Sequence, residues 1–223
     1  MNDISLITID GSAGSGKGTL AKRLSHELEW HLLDSGAIYR LLAFAACKNG
    51  IALDDEAALV ALTSAIKMEF IAKGGAELEV LLDGEDVTRD IRTEDCGCNA
   101  SVLAVLPKVR EALLDRQKSF RQAPGLVADG RDMGTVVFPD APLKIFLLAS
   151  AEVRAERRFG QLKEKGIDAN MDRLIRDIVK RDERDCNRKQ APLKPADDAI
   201  QIDTDKMSIE EVFSKVYQLS KNL

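Results

Sequence analysis

Nine residues near the start of the chain have the make-up of an anion cradle. Gly11-Ser12-Ala13-Gly14-Ser15-Gly16-Lys17-Gly18-Thr19 fits G-x-x-x-x-G-K and sits between an apolar strand-like run and an amphipathic helical one. Glycines let the backbone wrap an anion with its N–H groups, and the following helix points its positive end at the same place. Lys17 can then reach β- and γ-phosphate oxygens. One residue departs from the common pattern: Gly18 stands where many such loops carry Ser or Thr, and the hydroxyl follows at Thr19. A second cluster is cationic. From Arg154 to Lys189 there are twelve Lys or Arg against eight Asp or Glu, an excess of four in a chain whose net charge is −5. Arg181, Arg184 and Arg188 recur at intervals of three and four with Asp185 among them, so they share one helical face at roughly 100° per residue. Such a face can be solvated and laced with i,i+4 pairs. Beside a phosphate cradle it can also hold a second anion.

The elements that must position these groups alternate. Ile4 to Ile9 reads as a buried strand, followed by the glycine turn and a helix carrying Leu20, Leu24 and Leu28. Leu32-Leu33 is a short strand and Ser35 to Lys48 a helix. Leu126 to Asp129 and Leu143 to Leu148 are further strands, with helices at about 151–164 and 170–188. Ala199 to Asp203 and Ile209 to Leu219 form the last strand and helix. Alternation of this kind implies a parallel sheet covered on both faces. Residues 66–92 break the rhythm. Lys67 to Ala72, Leu78 to Asp83 and Asp86-Val87 read as short strands joined at Gly74-Gly75 and Asp83-Gly84, an antiparallel insertion. Pro107 opens a helix that ends before Gly125.

Composition limits the classes. The 223 residues are 45% hydrophobic and 31% charged, a globular balance that needs no staples. An excess of acid argues against a dedicated nucleic-acid binder. Cys47, Cys96, Cys98 and Cys186 show neither zinc nor redox spacing, so free thiols in a reducing compartment are expected. Met1-Asn2-Asp3 lacks a basic leader, and no run reaches the roughly 18 apolar residues of a membrane span. A soluble, cytoplasmic monomer is expected, with no nucleic-acid or membrane partner. His26 and His31 form no catalytic constellation and read as structural or surface residues. A GTP-hydrolysing switch would need an N-K-x-D guanine motif, which the sequence lacks.

Three stretches add to the glycine loop: Leu33-Asp34-Ser35-Gly36-Ala37-Ile38-Tyr39-Arg40, Ala128-Asp129-Gly130-Arg131-Asp132-Met133-Gly134-Thr135, and Lys180-Arg181-Asp182-Glu183-Arg184-Asp185-Cys186-Asn187-Arg188. With them the chain resembles the bacterial cytidylate kinases, a branch of the P-loop nucleoside monophosphate kinases, from Ile9 to about Thr204. Within that family the G-K-G-T form is the rule, and Ser12-Ala13 is a minor variation on Pro-Ser or Pro-Ala. The resemblance implies an α/β fold: a three-layer P-loop NTPase core with a parallel sheet, a small inserted antiparallel-β and helical monophosphate-binding lobe, and a helical lid. A single domain over 1–223 is expected, with the core at about 1–34, 107–150 and 189–223, the lobe at about 35–106 and the lid at about 151–188.

The implied reaction moves the γ-phosphoryl group of ATP onto CMP or dCMP, with Mg²⁺ as cofactor. By resemblance, Gly11, Ser12, Ala13, Gly14, Ser15, Gly16, Lys17, Gly18 and Thr19 bind ATP phosphates. Lys17, Arg131 and Arg188 are the implied catalytic cations. Arg40, Arg131 and Arg188 clamp the CMP phosphate, Ser35 contacts the nucleotide, and Arg181 and Asp185 lie near its ribose. Ser101, Arg110 and Asp132 match cytosine-reading positions. Thr19 and Asp129 face Mg²⁺, directly or through water. Arg157 and Arg158, with Arg154, belong to the lid over ATP. A related kinase acting on UMP or shikimate is the nearest rival, and Asp132, Arg110 and the hairpin lobe argue against it.

Overall fold

A computed structural model describes residues 4–73, 77–164, 166 and 168–223. The expected turn at Gly74-Gly75 and the first three residues lie outside them. Five parallel strands form the central sheet: β1 (Ser5–Gly11), β2 (His31–Asp34), β6 (Gly125–Gly130), β7 (Leu143–Leu148) and β8 (Ile200–Asp203), in the order β2-β6-β1-β7-β8. Alternate residues supply two cores. Leu6, Leu33, Leu126 and Ala128 pack on one face, while Ile7, Ile9, Val127 and Ile145 pack on the other.

The second face is covered by α1 (Lys17–Glu27) through Leu20 and Leu24, and by α8 (Ile209–Ser220) through Val212 and Val216. Ser208 and Glu211 close a reciprocal capping box at the start of α8. The first face is covered by α2 (Ser35–Lys48), which is buried almost all round, from Ala37 to Ala46. Asp34 caps it, accepting the Ala37 N–H at 2.9 Å. Against α2 lie α3 (Glu56–Ala65), a hairpin sheet of β3 (Met68–Lys73), β4 (Glu77–Leu82) and β5 (Glu85–Asp86), α4 (Glu94–Leu103) and α5 (Pro107–Lys118). Met68, Val80 and Leu82 belong to the same apolar cluster as Leu6 and Leu126, so the hairpin lobe shares its core with the sheet. The sequence pattern anticipates the hairpins but not α3 or α4. Helices α6 (Ala151–Glu164) and α7 (Met171–Cys186) follow β7. Among the described residues no helix is long and apolar enough to cross a membrane.

All five strands run the same way, so their carboxyl ends share one edge, where ligands of open parallel sheets gather. The register sets Asp129 beside both Ile9 and Asp34, and Gly130 beside Asp10. Close packing at the opposite edge is just as constrained. A Cβ on Gly125 would stand 2.4 Å from Cδ2 of Trp30. Gly125→Ala is therefore expected to lose about 1–3 kcal/mol of stability through forced displacement of the indole, read as a lower urea midpoint with an unchanged slope.

Candidate active site

The glycine loop leaves β1 where no side chain fits. A Cβ at Gly11, whose φ is +152°, would lie 2.5 Å from the Leu147 carbonyl oxygen. Gly16 takes a left-handed conformation at the start of α1 and offers no side-chain cap, so the first-turn N–H groups of the helix remain available to an anion. Lys17 is buried, and its Nζ donates to the Ser12 carbonyl at 3.0 Å. Burial, followed by the charge of Arg131, pulls its ammonium down to about 7, while Asp129 opposes the shift. Thr19, two residues further on, is exposed. At Gly18 a Cβ would stand 3.2 Å from Oδ2 of Asp129, a close approach to the carboxylate. Burial pushes Asp129 up to about 6 against the pull of Lys17. Its Oδ1 and the Ser15 hydroxyl are buried without a hydrogen-bond partner among the described residues.

Beyond Asp129 the chain turns sharply, and Asp10 makes it turn. The Asp10 carboxylate accepts the N–H groups of Met133 and Gly134, each at 2.8 Å, and so fixes a π-helical turn over Met133–Val137. Burial raises Asp10 to about 7, with Asp132 and Asp129 adding to the rise and the two N–H bonds opposing it. The sequence reading passed over Asp10; an acid ending an otherwise apolar buried strand was the available signal.

The turn projects Arg131 and Asp132 in two directions. Asp132 pairs with Arg110 of α5, which also donates to the Ala104 carbonyl at 3.2 Å and lies 5.8 Å over the Tyr39 ring. Burial raises Asp132 despite Arg110, Arg188 and Arg131. The hydroxyl of Ser101 is buried there without a partner among the described residues. Ser35 instead donates to Gln117 at 2.7 Å. Arg131 donates Nε to Asp185 of α7 at 2.9 Å, and Arg188 grips the other oxygen of the same carboxylate. Burial alone would raise Asp185, yet Arg131, Arg188 and Arg181 hold it below the usual carboxylate value. The ribose role implied for Asp185 thus meets a carboxylate already shared by two arginines.

The other cations are held in different ways. Arg181 is pulled down to about 10 by burial, then by Arg131, with Arg40 adding to the effect and Asp185 opposing it. Arg40 donates to the carbonyls of Ile91 and Thr93, both at 2.9 Å, and is lowered by burial, with Arg131 contributing. Its guanidinium lies against Gly97, where a Cβ would come within 2.6 Å of Nη2. On α6, Arg157 donates to the Thr204 carbonyl at 2.7 Å and to Ser15 at 3.4 Å, between the loop and the end of β8. Arg158 turns the other way. It pairs with Glu94 of α4 and is lowered by burial and by Arg40.

A glycine loop at the carboxyl edge of a parallel sheet, facing a second set of arginines, defines a phosphotransferase of the P-loop kinase class. The cytidylate kinase family model matches residues 7–222. The chain is 58% identical over 212 residues to a cytidylate kinase of Pseudomonas entomophila, covering 95% of this chain and 93% of that one. It is 55% identical over 214 residues to one of Shewanella denitrificans, covering 96% and 94%, and 56% identical over 216 residues to one of Salmonella arizonae, covering 97% and 95%. The chain belongs to the cytidylate kinase family and is a kinase.

Asp10 gives this site a pH signature. Its raised value means the folded protein keeps a proton that the unfolded chain releases near pH 4, so this contribution to stability is lost as pH rises towards 7. Between pH 5 and pH 8 the stability of the wild type relative to Asp10→Asn is expected to fall by about 2 kcal/mol, as measured by urea unfolding at each pH.

Proposed function

We propose that the protein transfers the γ-phosphoryl group of ATP to the phosphate of CMP and of dCMP, giving ADP and the cytidine diphosphate. One observation carries this reading: Lys17 of the glycine loop, Arg40 of α2, Arg131 after β6 and Arg181 of α7 converge on one cleft, where burial first, and then a neighbouring cation of this set, lowers each of Lys17, Arg40 and Arg181. Such an array is costly while empty and is relieved by polyanions. Two nucleotides, one in the glycine loop and one against α7, bring the needed charge.

The acceptor oxygen is already anionic, so the reaction needs no general base. Alignment and charge neutralisation suffice. Lys17 follows the γ-phosphoryl group, while Arg131 and Arg188, both held by Asp185, join Arg40 on the acceptor phosphate. An ionised carboxylate has about four acceptor positions, which leaves Asp185 capacity for a sugar hydroxyl beside Arg181. Asp132 accepts from the exocyclic amine of cytosine, while Arg110 and the unpartnered Ser101 hydroxyl serve the ring nitrogen and carbonyl. Uracil would bring a carbonyl to Asp132, acceptor against acceptor, and leave a buried group unpaired.

Thr19 and the unpartnered Asp129 oxygen suit Mg²⁺, directly or through water. Among the described residues no cluster of three metal-binding side chains exists, which fits an ion held largely by substrate phosphates. When bound, Mg²⁺ supplies charge neutralisation on those phosphates. We further assign residues 35–106 to an acceptor lobe and 151–188 to a lid that excludes water. The four free cysteines support a cytoplasmic setting, and a monomer is our reading of the assembly.

ADP release from ATP is expected to be fast with CMP or dCMP, much slower with UMP or AMP, and lost in EDTA until Mg²⁺ is restored. CMP-independent hydrolysis, or faster turnover with UMP, would overturn the assignment. Asp132→Ala should lower the CMP-to-UMP ratio of kcat/KM by about tenfold or more and leave the apparent KM for ATP within about threefold.

A further inference from the structure

Arg154 is 3% exposed and each nitrogen of its guanidinium has a partner. Nε donates to the carbonyls of Ala149 and Ser150 at 3.0 and 3.1 Å. Nη1 donates to the Ala13 carbonyl, at the tip of the glycine loop, and to Oδ1 of Asp182, both at 3.1 Å. Nη2 takes the other oxygen of Asp182, completing a two-pronged pair. Its alkyl stem fills the space beside Gly14, where a Cβ would lie 3.3 Å from its own Cβ. The side chain is thus wedged between the donor loop and α7.

Asp182 sits on α7 between the residues that face the acceptor. It follows Arg181 directly and lies one turn before Asp185, the carboxylate that aligns Arg131 and Arg188. Paired groups therefore run from the Ala13 carbonyl through Arg154 to Asp182, and the backbone of α7 carries the connection one turn on to Asp185 and the arginines it holds. Planar forks resist sliding, so a shift of the loop tip is passed to α7 rather than absorbed. Neither Arg154 nor Asp182 needs to touch a nucleotide for this to act.

We propose that Arg154 is a positioning residue which, through Asp182, couples the donor loop to the acceptor helix, so that a nucleotide in one site raises affinity at the other. This rests on assigning ATP to the loop and CMP to the α7 cleft. Coupling of this kind is reciprocal in binding free energy.

The test is CMP binding by calorimetry, with and without saturating non-hydrolysable ATP analogue. In the wild type the analogue is expected to tighten CMP binding at least about fivefold. In Asp182→Asn this factor falls towards one while the dissociation constant of each nucleotide alone moves less than about threefold, and in Arg154→Lys the factor falls likewise. A merely structural role would weaken both sites and leave the ratio intact. The double variant should lose no more coupling than either single one, as expected for a shared path. Asp182→Glu, which keeps the charge, should recover part of the coupling. If Arg154→Lys does not fold, Asp182→Asn carries the test, since that side chain is 22% exposed. A coupling factor of one in the wild type, or an undiminished factor in Asp182→Asn, overturns the proposal. Absence of CMP binding altogether would instead strike the assignment of the acceptor site.

Discussion

Repulsion between like charges is the constraint under which this structure is built. Lys17, Arg40, Arg131 and Arg181 occupy one cleft, and Lys17, Arg40 and Arg181 are lowered by burial first and then by neighbouring cations of the set. An arrangement like this survives only if the rest of the fold holds it in place. Asp185 keeps Arg131 and Arg188 together, Asp132 restrains Arg110, and backbone carbonyls of the segment before α4 take Arg40. Buried ion pairs contribute little net stability because desolvation offsets their attraction. Stability comes from the two apolar clusters on either face of the sheet, and the charged cleft draws on it.

Three glycines serve the charged groups by their lack of a side chain. Gly18 leaves room for the Asp129 carboxylate, Gly97 for the Arg40 guanidinium and Gly14 for the stem of Arg154. In each case the missing Cβ is filled by a long or ionised neighbour that sets the geometry of the cleft. The glycine loop is thus both a flexible wrap for an anion and a docking face for side chains from β6 and α6.

The periodic elements were legible from sequence because burial wrote them there. The strand Leu143–Leu148 begins and ends where its apolar run does, and the hairpins of residues 68–86 followed from alternation and turn residues. Helix α3 left a readable signal that went unused, with Asp55 capping an apolar series from Ala58 to Leu62. Helix α4 is different: it contains Gly97 and Asn99, poor helix formers, and its glycine is needed against an arginine from another helix. The π-turn at Met133–Val137 depends on Asp10, more than 120 positions away, so no local pattern could announce it. The same holds for the cleft. Motifs marked which residues belong to it, but the sharing of Asp185 by Arg131 and Arg188, and the grip of Arg154 on Asp182, are products of folding.

The contact between Arg158 of α6 and Glu94 of α4 ties these two helices together, and both partners remain partly in water. Ion pairs so placed hold with less than about 1 kcal/mol. Ordinary thermal agitation undoes a fastening of that strength. Parting α6 from α4 therefore meets little resistance from this pair.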